Sequence, residues 1–415
     1  MPTASNSGSQ AFDVAIAGGG FAGRTLALAL TKLAPQGFRV ALVDAEPTQA
    51  GGDDARALAL SAATKNLLTA LGLWQGLEPN AQAMTSIEIT DSPLDAALRP
   101  HLLGFDAELE PNGASAYLVE YGNLNRVLAS TVASESAIEI FAPDSVTQAT
   151  TDPFRAEAKL GSGKVLEASL LVAADGKRSR LREQAGIKCV GWSYPQLGIV
   201  TTVAHERPHH GKAVQHFLPS GPFAILPLTG NRSSIVWTEE KGEAERIMAL
   251  DEAAFLEELT KRFGHRLGSI PLVGPRQSFP LDMQIARSFV AERVALIGDA
   301  AHLVHPLAGQ GLNIGMRDVA ALAETIVDAA RLGLDIGALP QLERYERWRR
   351  FDSAFSAAAM DGLNRLFSND NAPLRALRDL GLGLVDRAPA LKRFLAREAA
   401  GATGNMPHLL KGEAP

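Results

Sequence analysis

FDVAIAGGGFAGRTLALALTK, residues 12–32, changes character in its middle. Val14, Ala15, Ile16 and Ala17 read as a parallel strand buried on both faces. Gly18, Gly20 and Gly23 then spell G-x-G-x-x-G, with Ala22 just before the last glycine. Leu26, Ala27, Leu30 and Leu33 follow at helical spacing. Gly18 permits a tight turn, Gly20 lets a pyrophosphate approach the backbone, and Gly23 lets the helix sit close on the strand. The helix N-terminus adds N–H donors and a partial positive charge for phosphates. Alone the motif is weak evidence, but here it has the required surroundings. A second strand, FRVALVD, ends at Asp44, about 20 residues beyond the third glycine. A carboxylate there accepts hydrogen bonds from both hydroxyls of an adenosine ribose. NAD, NADP and FAD all satisfy such a loop, although Asp44 disfavours a 2′-phosphate.

Outward from this unit, residues 46–74 read as a loop and then a helix, with Ser61 as N-cap and Gly72 as the stop. Arg56 precedes that helix, within reach of a phosphate. TSIEITD (85–91), AIEIFAP (137–143) and FRAEAKL (154–160) read as strands, and GNLNRVLASTVAS (122–134) as a helix. ASLLVAADGKRSRLREQAG (168–186) is a buried strand ending at Asp175-Gly176, followed by a basic helix start. Between Leu197 and Glu239 several short strands with Gly, Pro and Asn turns point to an antiparallel sheet inserted into the parallel one. DEAAFLEELTKRFG (251–264) reads as an amphipathic helix. RVALIG (293–298) returns as a strand and runs into Asp299, two histidines, Pro306 and the glycines at 309 and 311. From about Leu342 the chain reads as helical.

The bulk properties narrow the class. The chain has 415 residues, 46% of them hydrophobic, and a mean hydropathy of +0.02, which suits a globular protein with a large core. A net charge of −6 argues against a nucleic-acid partner. A single cysteine, Cys189, excludes an internal disulfide and a cysteine-ligated metal cluster. The first ten residues lack a basic region followed by an apolar stretch, and no run of about 18 apolar residues occurs, so neither a signal peptide nor a membrane span is expected. A cytoplasmic location fits. His302 and His305 have no nearby carboxylate pair to complete a metal site, so no metal is expected and no catalytic side chain is nominated.

Three strand ends carry an acid: Asp44, Asp175 and Asp299. With only one nucleotide fingerprint present, an elongated cofactor gripped by several segments accounts for all three. GGGFAG with Asp44, ADGKRSRLRE (174–183) and LIGDAAHLVHPLAGQGLNIGMRDV (296–319) together resemble the FAD-dependent aromatic hydroxylases of the p-hydroxybenzoate hydroxylase-like group. Residues 55–74, the stretch 217–237 and GLNRLFSN (362–369) are similar to the ubiquinone-biosynthesis hydroxylases within it. The likeness covers nearly the whole chain.

The resemblance implies FAD as cofactor and assigns roles. Gly18, Gly20, Ala22 and Gly23 form the phosphate loop, Asp44 holds the adenosine ribose, and Arg56 approaches the pyrophosphate. Asp175-Gly176 sits near the pyrophosphate and helps dock a nicotinamide cofactor. Gly298-Asp299 binds the ribitol, Pro306 lies beside the flavin ring, and Gly309, Gly311, Leu312 and Asn313 bring backbone N–H groups to its N1–C2=O edge. Two positions depart from the pattern. Gly122 stands where many relatives have an arginine, and Arg24 replaces a usual apolar residue.

The implied fold is α/β. A Rossmann-like FAD-binding domain with a parallel sheet comprises residues 11–75, 106–192 and 283–335. An interleaved antiparallel-sheet substrate domain takes 76–105 and 193–282, and a helical segment takes 336–415. The implied activity is hydroxylation of the ring of a polyprenylated phenol through a flavin C4a-hydroperoxide, with NAD(P)H or a protein as electron donor. Alternatives are a flavin-dependent polyprenyl reductase or dehydrogenase, and a non-catalytic member that binds FAD or quinone precursors in a ubiquinone-biosynthesis complex. Two readings of the C-terminal helices stand side by side: contact with the inner-membrane surface or a partner protein, and simple cover for the core.

Overall fold

The structure is a computed structural model that describes residues 10–47, 54, 56–92, 94, 103–106, 114, 116–305, 309–368 and 406–414. β1 (Gln10–Ala17) runs through Gly18 into α1 (Phe21–Leu33), and β2 (Val40–Val43) returns beside β1. The chain then makes β3 (Ala57–Ser61), α2 (Ala62–Ala70), α3 (Trp74–Leu77) and β4 (Gln82–Met84). β5 (Ser86–Asp91) and β6 (Leu103–Asp106) lead to β7 (Ala116–Glu120) and α4 (Tyr121–Ser134). β8 (Ile138–Phe141), β9 (Val146–Thr151), β10 (Ala156–Leu160) and β11 (Val165–Ala173) follow, then the short α5 (Arg180–Gln184). A meander of β12 (Cys189–Ala204), β13 (Lys212–Leu218), β14 (Gly221–Leu228) and β15 (Arg232–Glu240) passes into α6 (Lys241–Met248) and α7 (Glu252–Phe263). Last come β16 (Gln277–Ala286), β17 (Val290–Ala291), β18 (Val294–Leu296), β19 (His302–Leu303), α8 (Gln310–Arg331), α9 (Leu339–Phe367) and α10 (His408–Lys411).

These strands form three sheets. The first runs β17-β18-β11-β1-β2-β8, and its members from β18 to β8 are mutually parallel. Val14, Ile16, Val40, Leu170 and Val172 are fully buried, as a sheet covered on both faces requires. β9 and β10 extend it antiparallel from the early half of β11. The second sheet, β19-β16-β12-β15-β14-β13-β5-β6, is antiparallel except where β5 lies parallel to β13. A three-stranded sheet, β3-β7-β4, completes the set. The architecture is therefore α/β, a parallel Rossmann-like sheet with an antiparallel sheet interleaved.

Alternation gives the second sheet two distinct faces. Ile199, Val214, Phe223, Ile235 and Trp237 point outward and pack under Phe255 and Leu259 of α7. On the inner face, Gln215, Ala224, Val236 and Val200 lie side by side across four strands. One end of that face is covered by Met84, Ala116 and Leu118 of the small sheet. Near the other end Phe217 stacks on Phe367 of α9, with ring centroids 4.1 Å apart.

Ser61 caps α2 by accepting the Thr64 N–H, and Gly72 follows that helix with a φ of +69°. The N-cap and stop therefore stand where the sequence put them. β3 and β16 were not anticipated. β3 lies in a stretch read as loop, and β16 holds Pro280 beside an irregular step in β12. The helix expected to start near Gly311 starts at Gln310, after Gly309 in the left-handed region.

Candidate functional site

At the carboxyl ends of the parallel strands the glycine loop is packed tightly on two sides. A Cβ on Gly18, whose φ is +112°, would lie 2.2 Å from the Ala174 carbonyl oxygen. The loop therefore touches the end of β11, and Asp175 stands next to it. A Cβ on Gly23 would lie 2.0 Å from the Gly18 carbonyl oxygen. Gly20 is different, because a Cβ there would meet nothing within 4 Å. The loop is open on that side.

Asp44 reaches from the end of β2 to the same loop, since a Cβ on Gly19 would come within 2.0 Å of Asp44 Oδ2. Asp44 Oδ1 accepts the Glu46 N–H at 3.2 Å. Arg24, undecided from sequence, is buried here. It donates to Asp44 Oδ2 at 3.2 Å and to Asn125 Oδ1 of α4 at 2.7 Å. Gly122 is exposed on α4, where an added Cβ would meet nothing within 4 Å.

Asp175 uses one oxygen to cap α5, accepting the Arg180 N–H at 2.9 Å. Its Oδ1 is buried and has no partner among the described residues. Arg182 ties this segment to the next one. Its guanidinium donates to the carbonyls of Ala300 and Lys177, both at 3.0 Å.

The turn after β18 is fixed from beneath. Gly298 takes a φ of +60°, and a Cβ there would meet Ala22 at 3.3 Å, so this turn abuts the glycine loop. The Gly298 N–H donates to Asp318 Oδ2 at 3.0 Å, and the same oxygen receives His302 Nε2 at 2.5 Å. Asp318 Oδ1 receives Arg349 Nε of α9 at 2.9 Å. Burial pushes the Asp318 carboxyl up, but His302 and Arg349 outweigh it and hold it below the usual carboxylate range. His302 is thus a structural partner of a buried carboxylate, and His302 and His305 do not share a helix. No group of residues suited to a metal ion occurs among the described residues.

Asp299 is open to solvent, yet burial raises its carboxyl above the ordinary value, with His302 and Arg56 offsetting part of the effect. Arg56 stands close enough to be felt there. Its guanidinium lies 4.7 Å from the Tyr121 ring centroid and 5.1 Å from that of Phe279, and it pairs with Asp54 at 2.6 Å. Beside it a cavity of about 170 Å³, lined in part by Asp54, Glu120, Thr202 and Arg232, separates the small sheet from the second sheet.

The first turn of α8 closes the arrangement. Gly309, Gly311 and Leu312 carry N–H groups that lie outside the helix's own ladder. A Cβ on Gly309 would sit 3.1 Å from Ala59. The Asn313 side chain is committed inward. Its Oδ1 accepts from Ser61 N and Thr64 Oγ1, and its Nδ2 donates to the Ala59 carbonyl. Pro306 lies outside the described residues.

A family model described as an FAD binding domain matches residues 11–341. The chain belongs to that FAD-binding family. Its cofactor is FAD. The open flank at Gly20, the unpartnered Asp175 oxygen and the desolvated Asp299 fit a long cofactor laid along these strand ends. The family member shares 44% identity over 406 residues with the ubiquinone hydroxylase UbiL of Rhodospirillum rubrum, covering 96% of this chain and 92% of the relative. It shares 35% over 404 residues with the 3-demethoxyubiquinol 3-hydroxylase of Escherichia coli, covering 94% and 99%. Among solved structures, the p-nitrophenol 4-monooxygenase PnpA of Pseudomonas putida superimposes with a TM-score of 0.76 at 20% identity, covering 95% of this chain and 100% of that one, a likeness of fold.

Residue reading missed Arg24 as the partner of Asp44, Arg182 as a tie, and the Asp318–Arg349 pair. The one available signal was Arg317-Asp318, two adjacent charges inside an otherwise apolar stretch of α8.

Proposed function

We propose that this chain is an FAD-dependent monooxygenase that adds one oxygen atom to the aromatic ring of a polyprenylated phenol in ubiquinone biosynthesis, drawing electrons from a reduced donor. Similarity to the R. rubrum ubiquinone hydroxylase along almost the full length of both chains carries this reading. Bound FAD supplies the redox chemistry and the activation of O2.

The chain's own residues supply binding, orientation and a dry site. Gly18, Gly20, Ala22 and Gly23 hold the pyrophosphate, with Arg56 beside it. Asp44 takes the adenosine ribose, and Asp299 takes a ribitol hydroxyl. The positive end of α8, at Gly309, Gly311, Leu312 and Asn313, would favour negative charge on the edge of a bound flavin ring. Asp175-Gly176 assists a nicotinamide donor, for which a protein donor is the substitute. The sheet division supports an FAD-binding domain of residues 11–75, 106–192 and 283–335 and a substrate domain of 76–105 and 193–282. The substrate ring lies on the inner face of the second sheet, where Ala224, Val236 and Val200 are apolar and Gln215 Nε2 is buried without a partner among the described residues.

No helix among the described residues is long and apolar enough to cross a membrane. Phe351 and Phe355 are exposed on α9, one turn apart, with Arg347 and Arg350 close in sequence and also exposed. This supports peripheral contact with an anionic membrane surface, from which a lipid-tailed substrate is drawn.

The test is the quinone precursor that accumulates when the gene is deleted, identified by mass spectrometry, together with oxygen uptake by the purified yellow protein. A precursor lacking one ring oxygen is expected. An unchanged quinone profile, or donor oxidation that yields a reduced tail and no added oxygen, overturns the proposal.

A further inference from the structure

Arg24 is the residue the cofactor reading leaves without a role. It follows Gly23 directly, on the first turn of α1, and its side chain is buried. A buried guanidinium requires partners, and it has two: Asp44 Oδ2 at 3.2 Å and Asn125 Oδ1 at 2.7 Å. A carboxylate offers about four lone-pair sites on its two oxygens. On Asp44, Arg24 occupies one on Oδ2 and the Glu46 N–H occupies one on Oδ1. One site remains on each oxygen, and a ribose presents two neighbouring hydroxyls. Asp44 also lies against the loop that receives the pyrophosphate, as its closeness to Gly19 requires. An unpaired carboxylate there would repel the phosphates. Paired with Arg24, it does not.

We propose that Arg24 is a positioning residue for the adenosine end of FAD, fixing and neutralising Asp44 so that one free site on each oxygen faces the ribose 2′- and 3′-hydroxyls. This rests on the assignment of FAD to the site. Asn125 completes the device by holding the second arm of the guanidinium.

The experiment is a double-mutant cycle on full-length apoprotein, with dissociation constants read by flavin fluorescence. Wild type, R24A, R24K and N125A are each titrated with FAD and with FAD built on 2′-deoxyadenosine. Wild type is expected to bind the deoxy cofactor about tenfold more weakly. R24A is expected to lose about tenfold on FAD and about threefold on the deoxy form, which keeps the pyrophosphate and the 3′-hydroxyl but has already lost the 2′-hydroxyl contact. R24K, which keeps the charge, recovers part of the loss. N125A shows a smaller loss of the same kind and serves if R24A does not fold. Losses that multiply in R24A and N125A, or FAD affinity unchanged in both, overturn the role of Arg24. A wild-type apoprotein that takes up no FAD overturns the cofactor assignment, and this proposal with it.

Discussion

Gly20 and Gly23 stand three positions apart and answer to different constraints. Because a Cβ at Gly20 faces open space, Gly20→Ala is expected to leave the melting temperature of the apoprotein unchanged while weakening FAD about tenfold or more, since the methyl group occupies the phosphate approach. Gly23→Ala is expected to do both kinds of harm. Its Cβ would press on the Gly18 carbonyl, so the backbone must shift, at about 1–3 kcal/mol of stability. Thermal unfolding of the apoprotein beside FAD titration separates the two. His305 offers a pH test. Its ring is buried against Tyr194, with centroids 5.1 Å apart, and burial pushes its pKa down to about 4, with Asp361 offsetting part of the effect. Below its ordinary value near 6.5 the unfolded chain binds a proton that the native ring refuses. Stability therefore falls as pH drops from about 6.5 towards 4, by at most roughly 3 kcal/mol from this residue. His305→Asn is expected to flatten that stretch of a stability–pH curve measured by urea unfolding. An unchanged slope would show that the imidazole titrates normally.

Between elements, the decisive contact is Asp318, which receives Gly298, His302 and Arg349 and so joins the turn after β18 to α8 and α9. Asp318→Asn leaves Arg349 buried with a weakened partner, and a loss of about 3–5 kcal/mol is expected by chemical unfolding. Asp352→Asn, at the more open edge of the same network, is expected to cost less. How far such features can be read from sequence depends on their range. The parallel strands, the three acid-bearing strand ends and the N-cap at Ser61 are local patterns, visible as apolar runs that stop at a polar residue. β16 was not visible, because Gln277, Asp282 and Gln284 break its apolar pattern and Pro280 argues against a strand. β3 was hidden by its brevity and by its small alanines, which make Ala-Leu-Ala-Leu fit helix and strand alike. The Arg24–Asp44 and Asp318–Arg349 pairs exist only once separate elements are stacked, and no spacing rule announces them.

At the scale of the whole molecule, the far end of the chain is tied back to the cofactor-binding half. Leu409 and Leu410 are buried where α10 packs on α2 and α8. The His408 N–H donates to Glu324 Oε2 at 2.8 Å, and Asn66 Nδ2 donates to the Leu410 carbonyl at 3.2 Å. Ending the chain after residue 405 uncovers apolar surface on α2 and α8, and a loss of about 3 kcal/mol or more is expected. Calorimetry of the shortened protein against the full chain measures it, and equal transitions would mean that the clasp contributes nothing. On the opposite account, replacing Phe351 and Phe355 with serine is expected to release the protein from anionic vesicles in a flotation assay without lowering its melting temperature.

The central strand β11 accepts β18 only after some 120 further residues, and the first turn of α8, later still, is the last part of the trough. Synthesis on the ribosome therefore proceeds for a long interval with the later half of one flank of β11 bare, an edge that invites pairing with the wrong chain. Flavin has no complete home until roughly three-quarters of the polypeptide has been made. Slower translation, lower growth temperature and ample riboflavin should accordingly raise the yield of soluble material, whereas abundant premature termination products should be found in inclusion bodies.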